Sequence, residues 1–405
     1  MESLRELYRI GPGPSSSHTL AVQKACLYYL NEYPNFKKYS VELCGSLALT
    51  GKGHMTDKIV ESVFGKENVE VIFTKKMYKD IPNVMIFHTI DDGKTSNQEV
   101  IISRGGGAIE IEGKPSLVNE FVYPQKSLKE IKEFIAQNNI DLAQYVYHYE
   151  PDIVEYLYKV VKQMLTEIEN GLSSEGVLPG ELRLLKVSRS LWVQSLECTD
   201  EAIRQKLQIS AYAYAAMEEN ACGKIVVTAP TLGSCGVLSA ILRFYHQKGY
   251  DIEKLIDGLA VAGVFGNLVK TNASISGAVG GCQAEIGTAC SMAAAFSAYL
   301  EGLPINQIEY AAEIAMEHNL GLTCDPVGGY VQVPCIERNG QAALRSIDSM
   351  IYAKYLGKIR DNKVSFDMIV AAMNYTGQKI AMELKETSLG GLAEVVPCKK
   401  DPLGC

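Results

Sequence analysis

Three cysteines in the second half of the chain stand where a backbone bends rather than where a helix packs. Cys282 follows SISGAVGG, Cys324 sits in LTCDPVGG and Cys335 sits in VQVPCIERN. Glycine, proline and polar turn residues beside a thiol favour presenting it over packing it as a small apolar group. Three thiolates facing one point could hold three irons of a 4Fe–4S cube and leave the fourth open, and an open iron is a Lewis acid. The intervals between the three are long, unlike the short C-x-x-C runs from which a cluster or zinc site is read locally. With 11 cysteines in the chain, plain burial of free thiols is the competing explanation.

Two other stretches carry groups suited to chemistry. IGPGPSSSHT, residues 10–19, is a loop that feeds the apolar-periodic run LAVQKACLYYL. Backbone N–H groups at such a helix start, with the hydroxyls of Ser15, Ser16, Ser17 and Thr19 nearby, make a site for a carboxylate; a serine cap on a surface helix explains the same residues. His54 follows Gly51 and Gly53 at a turn from the strand-like YSVELCGSLAL into the helical TDKIVESVFG. Histidine is the side chain best matched to proton transfer near neutral pH, and turns held by a sheet often carry reactive groups, although a lone histidine is more often solvated or capping.

The elements that must position these groups fall into two kinds. Short runs of strand character, VEVIF, NVMIFHTI, QEVIIS and GAIEIEG, follow one another up to residue 113, which predicts an α+β fold beginning with a small N-terminal α/β-sandwich domain at 1–124. Gly105, Gly106 and Gly107 form a tight turn without the G-x-G-x-x-G pattern or its following helix, so a dinucleotide site is rejected. A connector at 125–150 leads to a mostly α-helical domain at 151–405, where amphipathic and Ala-rich helices alternate with glycine breaks. KIVVTAPTLGSCGVLSAIL offers another turn into a helix, flanked by Cys222 and Cys235, and Cys290 lies in Ala-rich surroundings that favour packing. The last stretch, TSLGGLAEVVPCKKDPLGC, reads as a tail that either inserts elsewhere or frays.

Composition narrows the partners. The chain has 405 residues, 47% of them hydrophobic and 21% charged, with a net charge of −8; this is ordinary globular composition without the clustered Lys and Arg that nucleic acid requires. A small-molecule substrate is expected, with no nucleic acid and no membrane. The N-terminal stretch has no apolar core of signal-peptide length, and no run reaches the ~18 apolar residues of a span, so a cytoplasmic protein with reduced thiols is expected.

Seven motifs in one order carry a resemblance: GPSSSHT, GSLALTGKGH, VVTAPT, NASISGA with GGCQAEIG, GLTCDPVGG, VQVPCIERN and TSLGGLA. Together they resemble the iron-sulfur-dependent L-serine dehydratases (L-serine ammonia-lyases) of bacteria, in the single-chain form that fuses a β domain to a helical catalytic domain. The resemblance implies that Cys282, Cys324 and Cys335 bind a 4Fe–4S cluster whose open iron receives the substrate hydroxyl, with no pyridoxal phosphate. It implies His54 as the base that removes the Cα proton, and His18 as a second base or a positioning group. Ser15, Ser16, Ser17 and Thr19 would hold the substrate carboxylate. A C-terminal cysteine can occupy the open iron in this family; Cys398 matches by motif, and Cys405 is the alternative. A homodimer is expected from the family.

The chain also departs from the pattern. The family segment APTNGAAG reads APTLGSCG, so Leu232 replaces an amide, and Val279 stands where a Glu is common. These departures keep open a lyase or desulfidase acting on another β-substituted amino acid such as L-cysteine. A non-enzymatic iron-sulfur amino-acid sensor is the reading from a different class; the retained His18 and His54 favour an enzyme, because a sensor needs no base.

Overall fold

Side-chain alternation builds the first layer. In the strand Lys38–Gly45, Tyr39, Val41 and Leu43 join one buried cluster while Cys44 joins another on the opposite face, the period-two pattern of a sheet with apolar residues on both sides. The computed structural model describes residues 1–114 and 121–397. Its strands are β1 (Ile10–Pro12), β2 (Lys38–Gly45), β3 (Val69–Thr74), β4 (Asn83–Asp91), β5 (Lys94–Gly105), β6 (Ala108–Ile111) and β7 (Ile225–Val227). A five-stranded sheet runs β3-β2-β4-β5-β6, with β2 and β3 parallel and the other pairs antiparallel.

Helices Ala21–Glu32 and Thr56–Phe64 cover one face of that sheet. Ala21, Val22, Ala25, Cys26, Tyr29, Val60 and Phe64 meet Val41, Leu43, Met85, Phe87 and Ile101 there. The helix Thr56–Phe64 is also the crossover that parallel β2 and β3 require. The architecture is α+β: a small sheet region followed by a helical region.

The helical region is built around Ile252–Asn272 and Thr288–Leu300, whose small residues allow close approach. A Cβ added to Gly258 would lie 2.7 Å from the Phe296 ring, so the backbone itself is the packing surface there. Residues 1–9 belong to this core: Leu4, Leu7 and Tyr8 are buried in it, and the Tyr8 hydroxyl donates to the Leu259 carbonyl at 2.9 Å. β1 then pairs antiparallel with β7, Ile10 opposite Val227. The chain therefore starts in the helical region, crosses to the sheet, and returns.

The two regions are held together by loops. Gly105, Gly106 and Gly107 all have positive φ, and a Cβ at Gly105 or Gly106 would strike Ser276 or Ile275 at 2.9 Å. The turn seen in the sequence thus docks against the segment leading to Cys282. On the other side, Gly53 lies so close to Gly329 that a Cβ would sit 2.6 Å from its carbonyl oxygen. No helix among the described residues is long and apolar enough to cross a membrane.

Candidate active site

The N-terminal loop reaches its place through its backbone. Gly13 N–H donates to the Lys224 carbonyl at 2.9 Å, and the Asn220 side-chain amide donates to the Pro14 carbonyl at 2.8 Å. The following turn, Ser16–Leu20, is wound with i to i+5 bonds, a local expansion found often at functional sites. It buries Ser15, Ser16, Ser17, His18 and Thr19 together.

These hydroxyls do different things. Thr19 Oγ1 donates back to the carbonyls of Ser15 (2.6 Å) and Pro12 (2.8 Å), and Ser16 Oγ accepts the Leu232 amide N–H at 2.7 Å. Both therefore fasten the loop. Ser15 Oγ and Ser17 Oγ lie 3.2 Å apart and reach His18 Nδ1 at 3.3 and 2.9 Å. These two are the hydroxyls that gather at the ring.

Thr50, at the end of the short turn after β2, fixes both histidines. Its hydroxyl donates to the Ser46 carbonyl at 2.9 Å and lies 2.9 Å from His18 Nε2, so His18 donates from Nε2 and accepts a serine hydroxyl at Nδ1. Its carbonyl accepts from His54 Nδ1 at 2.9 Å. That bond places the proton on Nδ1 and leaves the Nε2 lone pair of His54 as the basic atom. The rings stack with centroids 4.2 Å apart. Burial holds His54 down at about 4, and burial with the neighbouring His54 holds His18 well below its ordinary range. Both rings are thus kept neutral and in the base form.

Across from them lie the cysteines. Cys282, Cys324 and Cys335 are free thiols. The Cys324 thiol hydrogen-bonds Cys282 and, with the Arg338 guanidinium, lowers the Cys282 pKa against the effect of burial. Cys324 is pushed up by the same bond and by burial, and Cys335 by burial and by the charge of Cys282. Cys282 sits directly before a second expanded turn, Gln283–Gly287. Gly277 lines the cradle: a Cβ there would lie 2.7 Å from Glu285 Oε2 and 3.0 Å from Cys324 Sγ. Arg338 also pairs with Asp325 at 3.3 Å.

Four residues without an assigned role in the sequence reading complete the centre: Thr50, Glu285, Arg338 and Glu386. Glu285 is half-buried, accepts the Thr231 hydroxyl at 2.7 Å, and approaches Cys324 Sγ at 4.0 Å. Glu386 is buried with its carboxylate 3.7 Å from His18 Nδ1. Ligand atoms of His18, His54 and Glu386 lie within 4.8 Å of one another, a nitrogen and oxygen set of the kind metal ions also accept. Thr50, Glu285 and Arg338 lay inside motifs already visible, and an acidic residue in the Gly/Ala-rich GGCQAEIG was a usable signal. Glu386 stands one residue before TSLGGLA.

The segment before the C-terminal tail inserts between the two regions. Cys324 N–H donates to the Leu384 carbonyl (2.8 Å), Glu386 N–H to the Cys324 carbonyl (2.7 Å), and Leu392 N–H to Asp325 Oδ2 (2.9 Å). Cys398 and Cys405 lie outside the described residues. Leu232 packs with Met217, Val226, Cys235 and Val331 in a cluster that Cys335 borders, and Val279 is 53% exposed. A groove of about 620 Å³ runs alongside, lined by Leu182, Leu184, Val327, Val333 and Pro397 with Glu181 as its titratable group; the nucleophilic and basic side chains are in the buried centre instead.

A neutral, oriented base facing a group of thiols across the junction of two regions is an arrangement for proton abstraction with a soft-ligand cofactor. Two family descriptions match: "Serine dehydratase beta chain" over residues 3–65 and "Serine dehydratase alpha chain" over residues 70–393. The chain is 36% identical to the L-serine dehydratase of Haemophilus influenzae, covering 98% of this chain and 100% of the relative. It is 35% identical to L-serine dehydratase 2 of Escherichia coli K12, with 98% and 100% covered, and 34% identical to the L-serine dehydratase of Streptomyces coelicolor, with 98% and 99% covered. The chain belongs to the serine dehydratase family, with the regions matching the beta and alpha chains in one polypeptide.

Proposed function

We propose that this chain is an iron-sulfur-dependent L-serine ammonia-lyase that converts L-serine to pyruvate and ammonia. The observation that carries the reading is the convergence of two sets: His54, buried and held by Thr50 through Nδ1, and three free thiols grouped with Arg338. Three free thiols near one another and backed by glycines suit a 4Fe–4S cluster. A cluster held by Cys282, Cys324 and Cys335 would supply a Lewis acid to the departing hydroxyl of the substrate.

The chain's own residues account for the rest. Ser15 and Ser17 present hydroxyls to the substrate carboxylate, while Ser16 and Thr19 hold the loop in shape. His54 Nε2 takes the Cα proton, with Nδ1–H fixed on the Thr50 carbonyl so that the ring cannot turn away. His18, stacked on His54, fixes its plane and completes the wall. Burial excludes water from the base until substrate is present. The aminoacrylate formed by loss of water tautomerises and hydrolyses to pyruvate and ammonia. Cys398, with Cys405 as the alternative, is proposed as the tail ligand of the cluster, and a cytoplasmic homodimer as the working form.

The alternative substrates rested on Leu232 and Val279. The name shared by the full-length relatives, L-serine dehydratase, supports L-serine over those alternatives. The test is anaerobic cluster reconstitution followed by assay of pyruvate, with ammonia or sulfide, from L-serine, L-threonine and L-cysteine. Pyruvate and ammonia from L-serine are expected. No turnover with an intact cluster would sink the enzyme reading, and faster sulfide release from L-cysteine would move it to a desulfidase.

A further inference from the structure

Glu386 is held in a conformation that side-chain-bearing residues rarely adopt. Its φ is 57°, and that of Ser388 is 56°, both in the left-handed region. The backbone is clamped there from both sides of the centre: Glu386 N–H donates to the Cys324 carbonyl at 2.7 Å, and its carbonyl accepts the Ser46 hydroxyl at 2.8 Å. Such strain persists where surrounding contacts over-determine it, commonly at functional sites. The clamp aims the Glu386 carboxylate at the His18 ring, beside the Ser17 hydroxyl and the Ala278 amide.

Glu386 is a buried carboxyl, and burial first, then the nearby Glu285 carboxyl and Cys282, push its pKa well up. Arg338, the guanidinium of the centre, is engaged by Asp325 and Cys282. His18 is kept neutral by burial and by His54. Acidic groups crowded against a buried carboxyl are offset by a small cation rather than by an anion. An amino acid brings one on the same carbon from which His54 would take the proton.

We propose that Glu386 is the counter-ion of the substrate α-ammonium group, so that the site selects amino acids over hydroxy acids of the same size. This rests on the proposed function. It divides the substrate among three partners: carboxylate to Ser15 and Ser17, ammonium to Glu386, Cα–H to His54 Nε2. The segment 384–392 thereby gives the helical region a substrate contact on the histidine side of the cleft.

The experiment compares wild-type holoenzyme with Glu386→Gln, using steady-state kinetics and two competitive inhibitors. Glycine carries carboxylate and ammonium; 3-hydroxypropionate carries carboxylate and hydroxyl without ammonium. In the variant, KM for L-serine and the inhibition constant of glycine should both rise by about 30-fold or more, with kcat changing less and the inhibition constant of 3-hydroxypropionate unchanged. Glu386→Asp should recover part of the loss. Parallel weakening of both inhibitors would overturn the proposal, as would a lower KM in Glu386→Gln, which would make the carboxylate a placeholder that substrate displaces. Should Glu386→Gln fail to retain iron, the wild type decides: glycine must stabilise it against thermal unfolding more than 3-hydroxypropionate does, and equal stabilisation by the two overturns the assignment. A wild type that binds glycine selectively yet turns over no amino acid would refute the lyase reading and leave the counter-ion standing.

Discussion

On the sheet side of the centre, polar groups are satisfied by one another: Thr50 holds His54 through its carbonyl and His18 through its hydroxyl, and Ser17 caps the second His18 nitrogen. On the helical side, the thiols and carboxylates push one another's protonation about, and one guanidinium serves several of them. The first arrangement is fixed by hydrogen bonds; in the second, burial and neighbouring acidic groups push most of the pKa values up. Preorganised bases belong to a step that must not wait for reorganisation. Acidic groups and thiols crowded in this way suit the proposed cluster, whose binding would supply the free energy that orders them.

The contrast can be broken most severely at the thiols. Cys282→Ser, Cys324→Ser or Cys335→Ser should each lose iron and all turnover, read by iron content and visible absorbance after anaerobic reconstitution. Full iron retention in any of the three would remove that cysteine from the ligand set. On the opposite side, His54→Ala should lower kcat by about 10²- to 10⁴-fold while iron content stays at the wild-type level. Loss of iron with loss of activity would show that the two sides are not separable.

Thr50→Val is a finer probe, because it removes the hydroxyl that orients His18 and keeps the carbonyl that orients His54. A kcat reduction of about tenfold, with unchanged iron, is expected; a loss as large as that of His54→Ala would give His18 the larger share of the proton transfer.

The smallest effect near neutrality is in pH dependence. Burial lowers His54 from 6.5 to about 4, so the acid limb of kcat/KM, which reports the free enzyme, should fall near 4. Between those values the unfolded imidazole binds a proton that the folded one refuses, so stability rises with pH across the window. The contribution is complete above 6.5 and is lost as pH falls towards 4. An acid limb centred at the ordinary histidine value would mean that the ring is solvated in the free enzyme.

Much of this was legible in the chain. Strand runs such as NVMIFHTI and QEVIIS fall within β4 and β5 because period two and β-branched residues are local signals. His54 is at the end of a strand-to-helix turn because paired glycines announce it. Glu386 was not legible: it meets Ser46 across 340 residues of sequence, and no local pattern encodes a contact made by folding two regions onto each other. Residues 1–9 were read with the sheet, yet Leu4 and Leu7 are buried in the helical core. Their apolar spacing announces burial without saying in which core. The division of labour among Ser15, Ser16, Ser17 and Thr19 depends on the Leu232 amide and on carbonyl positions, which composition does not carry.

The order of strands in the sheet has a consequence for how this molecule can be divided. β2 lies between β3 and β4, and the turn Lys66–Asn68 separates β2 from both in sequence. A polypeptide cut at that turn would leave the middle strand on one fragment and its two neighbours on the other. Neither fragment could complete the sheet alone, and recombination would require a strand to slot between two exposed edges. The histidine loop and the thiol loops are therefore not interchangeable modules joined by a linker but two ends of one interleaved assembly.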